Sequence, residues 1–78
     1  MGIKKWYPNQ HDYDARDFCI RNNIKIWRVT VSNNKYYIGL EINGKETRDP
    51  EYYSDDESLR KYYEYCRYYY DKYKDKIK

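Results

Sequence analysis

Ser32-Asn33-Asn34-Lys35 is flanked on both sides by apolar alternation, and this arrangement restricts the fold more than any other feature of the chain. Before it, Trp27, Val29 and Val31 recur at every second residue; after it, Tyr36, Ile38, Leu40 and Ile42 do the same. A period of two belongs to a half-buried strand, and asparagine tolerates the positive φ that a tight reversal needs. The pattern predicts a β-hairpin. With Asn33 and Asn34 as a two-residue turn, Ser32 faces Lys35, Val31 faces Tyr36, Val29 faces Ile38 and Trp27 faces Leu40. Those apolar pairs then share the face that meets the rest of the protein, and Arg28, Thr30, Tyr37, Gly39 and Glu41 lie on the opposite face.

Asn43-Gly44 is the strongest short signal for a second hairpin turn. The next residues, Lys45-Glu46-Thr47-Arg48-Asp49, show no apolar alternation, so they predict a short edge strand that Pro50 ends. Ser54 and Glu57, three residues apart around Asp55-Asp56, form a capping-box signature and predict a helix that runs on through 78. In it Leu59, Tyr63, Cys66, Tyr70, Tyr73 and Ile77 fall in one stripe directed at the sheet, flanked by Tyr62 and Tyr69. Ahead of the strands, Trp6-Tyr7-Pro8 reads as an extended anchor. Asp12 is the expected cap of a short helix reaching Arg21, with Ala15, Phe18 and Cys19 as its apolar face and Asn22-Asn23 as its stop. The expected fold is therefore α+β: an antiparallel sheet of two to three strands packed on one long C-terminal helix, with a short N-terminal helical segment. It is a single domain over 1–78, divided into 1–22, 23–53 and 54–78.

The chain has 78 residues, of which only 40% are hydrophobic and 37% are charged, yet 13 are tyrosine. Each tyrosine ring can bury on the order of 150 to 250 Å² if its hydroxyl stays wet or finds a partner, so tyrosine supplies the core that leucine and valine do not. Such a small domain leaves little room for a deep catalytic cleft. The 16 Lys and Arg against 13 Asp and Glu give a net charge of +3, mildly basic and naming no partner by itself. No apolar run has the length of a membrane span, and Met1-Gly2-Ile3-Lys4-Lys5 is a basic start without an apolar stretch behind it, so a cytoplasmic protein is expected. Cys19 and Cys66 lack a CxxC spacing and are expected to be reduced and packed.

His11, Asp12 and Asp14 are the one cluster suggestive of metal or acid/base chemistry. A single histidine beside two surface carboxylates is more commonly a set of helix caps, and Ser32, Ser54 and Ser58 lack an activating partner. No enzyme activity, metal or cofactor is expected. Two surfaces remain. On the outer sheet face Arg28, Thr30, Lys35, Tyr37, Glu41 and Arg48 combine an aromatic ring with cations, which suits a nucleic-acid reader. On the helix Lys61, Tyr65, Tyr68, Lys72 and Lys76 form a strip of alternating bases and rings, able to follow phosphates or grip an acidic protein surface. The plain alternative for both is a solvated face, with Glu57 and Lys61 paired along the helix.

Trp27-Arg28-Val29-Thr30-Val31, a turn, a strand closing at Ile42-Asn43-Gly44-Lys45, and Tyr53-Ser54-Asp55-Asp56-Glu57-Ser58-Leu59 leading into Tyr62-Tyr63 together resemble the Apetala-type DNA-binding domain. Phage integrase arm-binding domains and homing-endonuclease appendages are similar. The resemblance covers roughly 23–70 and implies a three-stranded sheet that enters the major groove of duplex DNA, with Arg28, Thr30, Tyr37 and Glu41 at its outward positions. Pro50-Glu51-Tyr52-Tyr53 departs from the family's Gly-Phe step, the strands hold fewer arginines, and 1–22 have no counterpart. In size, tyrosine and lysine content and layout the chain also resembles phage-encoded inhibitors of host defence, anti-CRISPR proteins included. That likeness implies a second kind of partner: a nuclease or its nucleoprotein complex, covered by a tyrosine-rich surface.

Overall fold

The computed structural model describes residues 6–76; the expected stripe position Ile77 and tail residue Lys78, like the start 1–5, lie outside the described residues. The elements run α1 (Gln10–Arg21), β1 (Ile24–Ser32), β2 (Lys35–Ile42), β3 (Lys45–Arg48) and α2 (Asp55–Tyr73). The strands form one antiparallel sheet in the order β1-β2-β3, and both helices pack against it or each other, as the α+β reading expects. β3 ends before Pro50. Beyond it the chain returns to β2 through an isolated bridge in which Tyr36 and Tyr53 exchange both N–H···O bonds at 2.8 Å.

Both reversals fall where the asparagines stand, but they differ in conformation. Asn43 and Gly44 both have positive φ, 54° and 82°, and pair Ile42 with Lys45 in a two-residue turn. In the first turn Asn34 has a φ of 54°, whereas Asn33 is not in the left-handed region. A two-residue turn of type I′ needs positive φ at both positions; with one, the loop takes in an extra residue. That residue is Val31, bulged between Thr30 and Ser32.

The bulge overturns the expected register. Ser32 does face Lys35, but thereafter Thr30 faces Tyr36, Val29 faces Tyr37, Arg28 faces Ile38, Trp27 faces Gly39 and Ile26 faces Leu40. A one-residue slip exchanges the two faces of a strand. Ile24, Ile26, Arg28 and Thr30 therefore share the helix side with Tyr36, Ile38, Leu40 and Ile42, while Trp27 and Val29 are on the outer side. The gain is visible in burial on β1: Ile24 is buried and Ile26 packs against the core, and full burial of such a side chain contributes about 1.5 to 3 kcal/mol.

Helix α1 starts three residues earlier than expected, because its cap is Asn9 and not Asp12. Asp12 instead occupies the third helical position, and the two residues bond each other's backbone N–H at 3.0 Å. Asp12 is fully buried and accepts from Arg67 Nη1 at 2.6 Å, so its charge is paired and ties the start of α1 to α2. Helix α2 carries the expected box, Ser54 with Glu57, but its last helical residue is Tyr73 and Lys74 is its cap. Tyr63 and Cys66 of the apolar stripe are buried. They meet α1 as well as the sheet: Tyr63 packs on Tyr13 and Trp6, Tyr70 on Phe18 and His11. Cys19 and Cys66 are free, buried thiols, with Cys19 Sγ donating to the Cys66 carbonyl oxygen at 3.6 Å. Their contact with each other holds the Cys19 thiol below its usual value and, with burial, pushes that of Cys66 up.

Candidate nucleic-acid interface

Cross-strand partners share a face, so the outer side of the sheet is built in rows: Val29 beside Tyr37, then Trp27, Gly39 and Arg48, then Lys25, Glu41 and Glu46. Gly39 is where the rows close up. A Cβ there would overlap the Trp27 indole ring, which lies flat across the glycine. Arg48 stands at the centre, its guanidinium 3.9 Å from the ring centroid of Tyr37 and 4.9 Å from that of Tyr52. Lys35 Nζ lies 4.5 Å from the same Tyr52 ring. Cations above aromatic rings are attracted by the ring quadrupole. A shallow depression of about 270 Å³ opens between Trp27, Tyr37 and Arg48. Glu41 is bound to Lys25 at 3.7 Å, whereas Glu46, in the row next to Arg48, also lines the depression.

Of the six sheet residues expected to bind nucleic acid, Lys35, Tyr37, Glu41 and Arg48 occupy this outer face, and Arg28 and Thr30 do not. Arg28 points the other way and is consumed structurally. Its Nη1 donates to Asp55 Oδ1 at 2.8 Å, Ser58 Oγ at 3.0 Å and the Asp55 carbonyl at 3.3 Å, and its guanidinium lies over Tyr36. A cation at a helix N-terminus opposes the dipole, and Asp55, Asp56 and Glu57 in the first turn offset it. Trp27, Val29 and Tyr52 stand on the outer face instead. The glycine in mid-strand was the available signal for Trp27, since such a glycine marks the close approach of another group.

The helix strip is broken up differently. Tyr65 is half-buried and donates its hydroxyl to Asp49 Oδ2 at 2.6 Å, so it is not a free anchor. Lys61 bonds Glu64 at 2.8 Å in place of the expected Glu57. That bond raises the Lys61 pKa. Tyr68 is exposed, with Lys72 Nζ 5.6 Å from its ring centroid, and Lys76 lies past the helix end.

Asp49 is the residue that sequence reasoning missed. It is 4% exposed, on the helix side of the sheet, and takes three hydrogen bonds: from the Tyr65 hydroxyl, the Tyr53 hydroxyl at 2.9 Å and the Glu51 N–H at 2.8 Å. Burial pushes its carboxyl up, and those three donors together with Lys61 more than reverse this, holding it below the usual carboxylate value. The same contact, with burial as the larger cause, pushes both tyrosine hydroxyls well above their usual value. The Tyr62 hydroxyl is pushed up to about 12 by burial.

The His11, Asp12 and Asp14 cluster is dispersed. His11 sits edge-on to Tyr70, Asp12 pairs with Arg67, and Asp14 accepts from Gln10 Nε2 at 3.0 Å. Among the described residues no group of three or more His, Cys, Asp or Glu is placed to hold a metal ion, and no helix is long and apolar enough to cross a membrane. No family model, curated protein or solved structure matches this chain.

Proposed function

We propose that this protein is a small non-enzymatic module that engages duplex DNA through the outer face of its sheet. The observation that carries the reading is Arg48. Its guanidinium is held between the Tyr37 and Tyr52 rings, its Nε donates to the Asp49 carbonyl at 3.1 Å, and it forms no ion pair among the described residues. A guanidinium positioned by aromatic packing, with its outer donors unspent, suits two-point recognition of guanine O6 and N7 or of a phosphate. Lys35 adds a second cation, and Trp27 and Val29 give apolar contact of the kind a thymine methyl group accepts. A narrow sheet fits the major groove, about 12 Å wide.

Fluorescence anisotropy with a labelled random duplex, and with one of its single strands, tests this at low and at moderate salt. The duplex should bind more tightly, weaken steeply with salt, and lose at least fivefold affinity with Arg48→Ala. Absence of duplex binding at low salt would sink the proposal. A second reading, an inhibitor of a host-defence nuclease or its nucleoprotein complex, draws on Tyr68. This ring is 56% exposed beside a groove of about 230 Å³ that Lys61, Glu64 and Tyr65 also line. Its mark is a protein partner whose binding falls with Tyr68→Ala and is indifferent to Arg48→Ala.

A further inference from the structure

The geometry points to a second binding site, along the free edge of β1, that takes an extended acidic segment of a partner protein as an added strand. Among the described residues β1 has β2 as its one partner strand, although it is nine residues long. In an antiparallel pair alternate residues direct their N–H and C=O away from the partner, so this edge presents unpaired backbone groups to whatever lies beside it. The Val31 bulge limits a regular ladder to the stretch before it, from Lys25 to Thr30.

Beside that stretch lies a cleft of about 360 Å³ whose walls come from three elements: Ile20 of α1, Ile24 and Ile26 of β1, and Tyr62 and Cys66 of α2. Ile20 is 64% exposed, an apolar side chain left at the rim. Strand addition uses this pairing of parts, main-chain bonds to an edge and a neighbouring recess for every second side chain. The chemistry of the occupant follows from charge. Arg16 lines the cleft and no carboxylate does; Lys25, which also borders it, has its ammonium paired with Glu41 on the outer face. Arg16 Nη1 donates to the Tyr63 hydroxyl at 3.3 Å, its Nε is buried without a hydrogen-bond partner, and no ion pair reaches it among the described residues. An acidic side chain in the added strand would supply the missing partner. A second copy of this chain fits poorly, because a two-fold pairing sets the same patch against itself, and β1, from Ile24 to Ser32, holds no acidic side chain to offer Arg16.

A display library of random decapeptides, selected on the folded full chain and counter-selected on Arg16→Gln, tests the inference. Enriched peptides should place an acidic residue among apolar ones at alternate positions, and a synthetic copy should shift the amide resonances of β1 and α1. N-methylation of alternate peptide bonds in one phase should weaken that copy at least tenfold, and in the other phase change it little, since only one set of N–H groups meets the edge. Arg16→Gln should weaken it at least fivefold while the spectrum stays that of the folded protein. The inference is overturned by absence of enrichment, by equal tolerance of both methylation phases, by shifts confined to Trp27, Tyr37 and Arg48, or by concentration-dependent self-association that protects the β1 amides.

Discussion

The two hairpin turns differ by one backbone angle. Asn43-Gly44 places both residues in the left-handed region and returns the chain in register; Asn33-Asn34 places one there and sends Val31 out as a bulge. The second turn leaves β3 in the register that a two-residue turn sets, with Ile42 facing Lys45. The first exchanges the faces of an entire strand and decides that Trp27, not Arg28, looks outward. Burial favours this outcome: Ile24 and Ile26 reach the core only when Trp27 and Val29 leave it, and Arg28 finds Asp55 and Ser58 only from the inner side.

The sharpest way to break this contrast is Gly39→Val. In the bulged register its side chain collides with the Trp27 indole, and overpacking of this kind should cost about 3 kcal/mol. In the unbulged register Trp27 would face Leu40 and the change would favour the strand. Chemical denaturation monitored by tryptophan fluorescence separates the two, and a valine variant as stable as the parent would contradict the bulge.

Next comes Asp49, which follows the regular hairpin. Because its folded pKa is lowered, its contribution is present above the ordinary carboxylate value near 4 and is lost as pH falls through the lower folded value. Tyr53 and Tyr65 are raised, so theirs is present below about 10 and is lost as pH climbs beyond it. Asp49→Asn should cost about 2 kcal/mol at neutral pH, in keeping with bonds to a charged acceptor, and flatten the acid limb. Tyr65→Phe should flatten the alkaline limb. Denaturation midpoints measured from pH 2 to 11 check both signs.

Arg28→Ala is expected to cost about 1 kcal/mol, a value discounted because its side chain is about a third exposed, and to leave duplex affinity of the folded variant unchanged. Loss of DNA binding without loss of stability would return Arg28 to the outer face. The smallest effect belongs to Asn34→Gly, about 0.5 kcal/mol, since glycine adopts the same φ but cannot accept from the Asp55 N–H as Asn34 Oδ1 does at 2.9 Å. The sequence would then hold Asn-Gly at position 33, and nuclear Overhauser contacts should still join Trp27 to Gly39 if burial rather than turn preference sets the register.

These particulars show how far the sequence could be read. Turn positions, the Ser54 and Glu57 box, the short third strand and the Tyr63 and Cys66 stripe rest on local chemistry, and they stand where pattern put them. The cap at Asn9 was also legible, because Asp12 follows it by three residues, as in a capping box. The register was not, since nothing local distinguishes the φ of Asn33 from that of Asn34. Asp49 was equally hidden: between Arg48 and Pro50 it reads as a strand end, and its burial depends on Tyr65, 16 residues away. For the candidate site, Tyr37 and Arg48 were found because their strands were, while Trp27 followed its strand to the other face.

The bond that the Asp55 N–H donates to Asn34 Oδ1, 21 residues back, and the one that Arg28 donates to Asp55, 27 residues along, converge on the first turn of α2. The entry of the last helix is thus completed by groups that the first hairpin brings into place. The first turn of α2 therefore keeps these two bonds only while β1 and β2 stay paired. Amide exchange at Asp55 should then report openings of a turn far away in the chain, so that hairpin and helix melt as one cooperative unit.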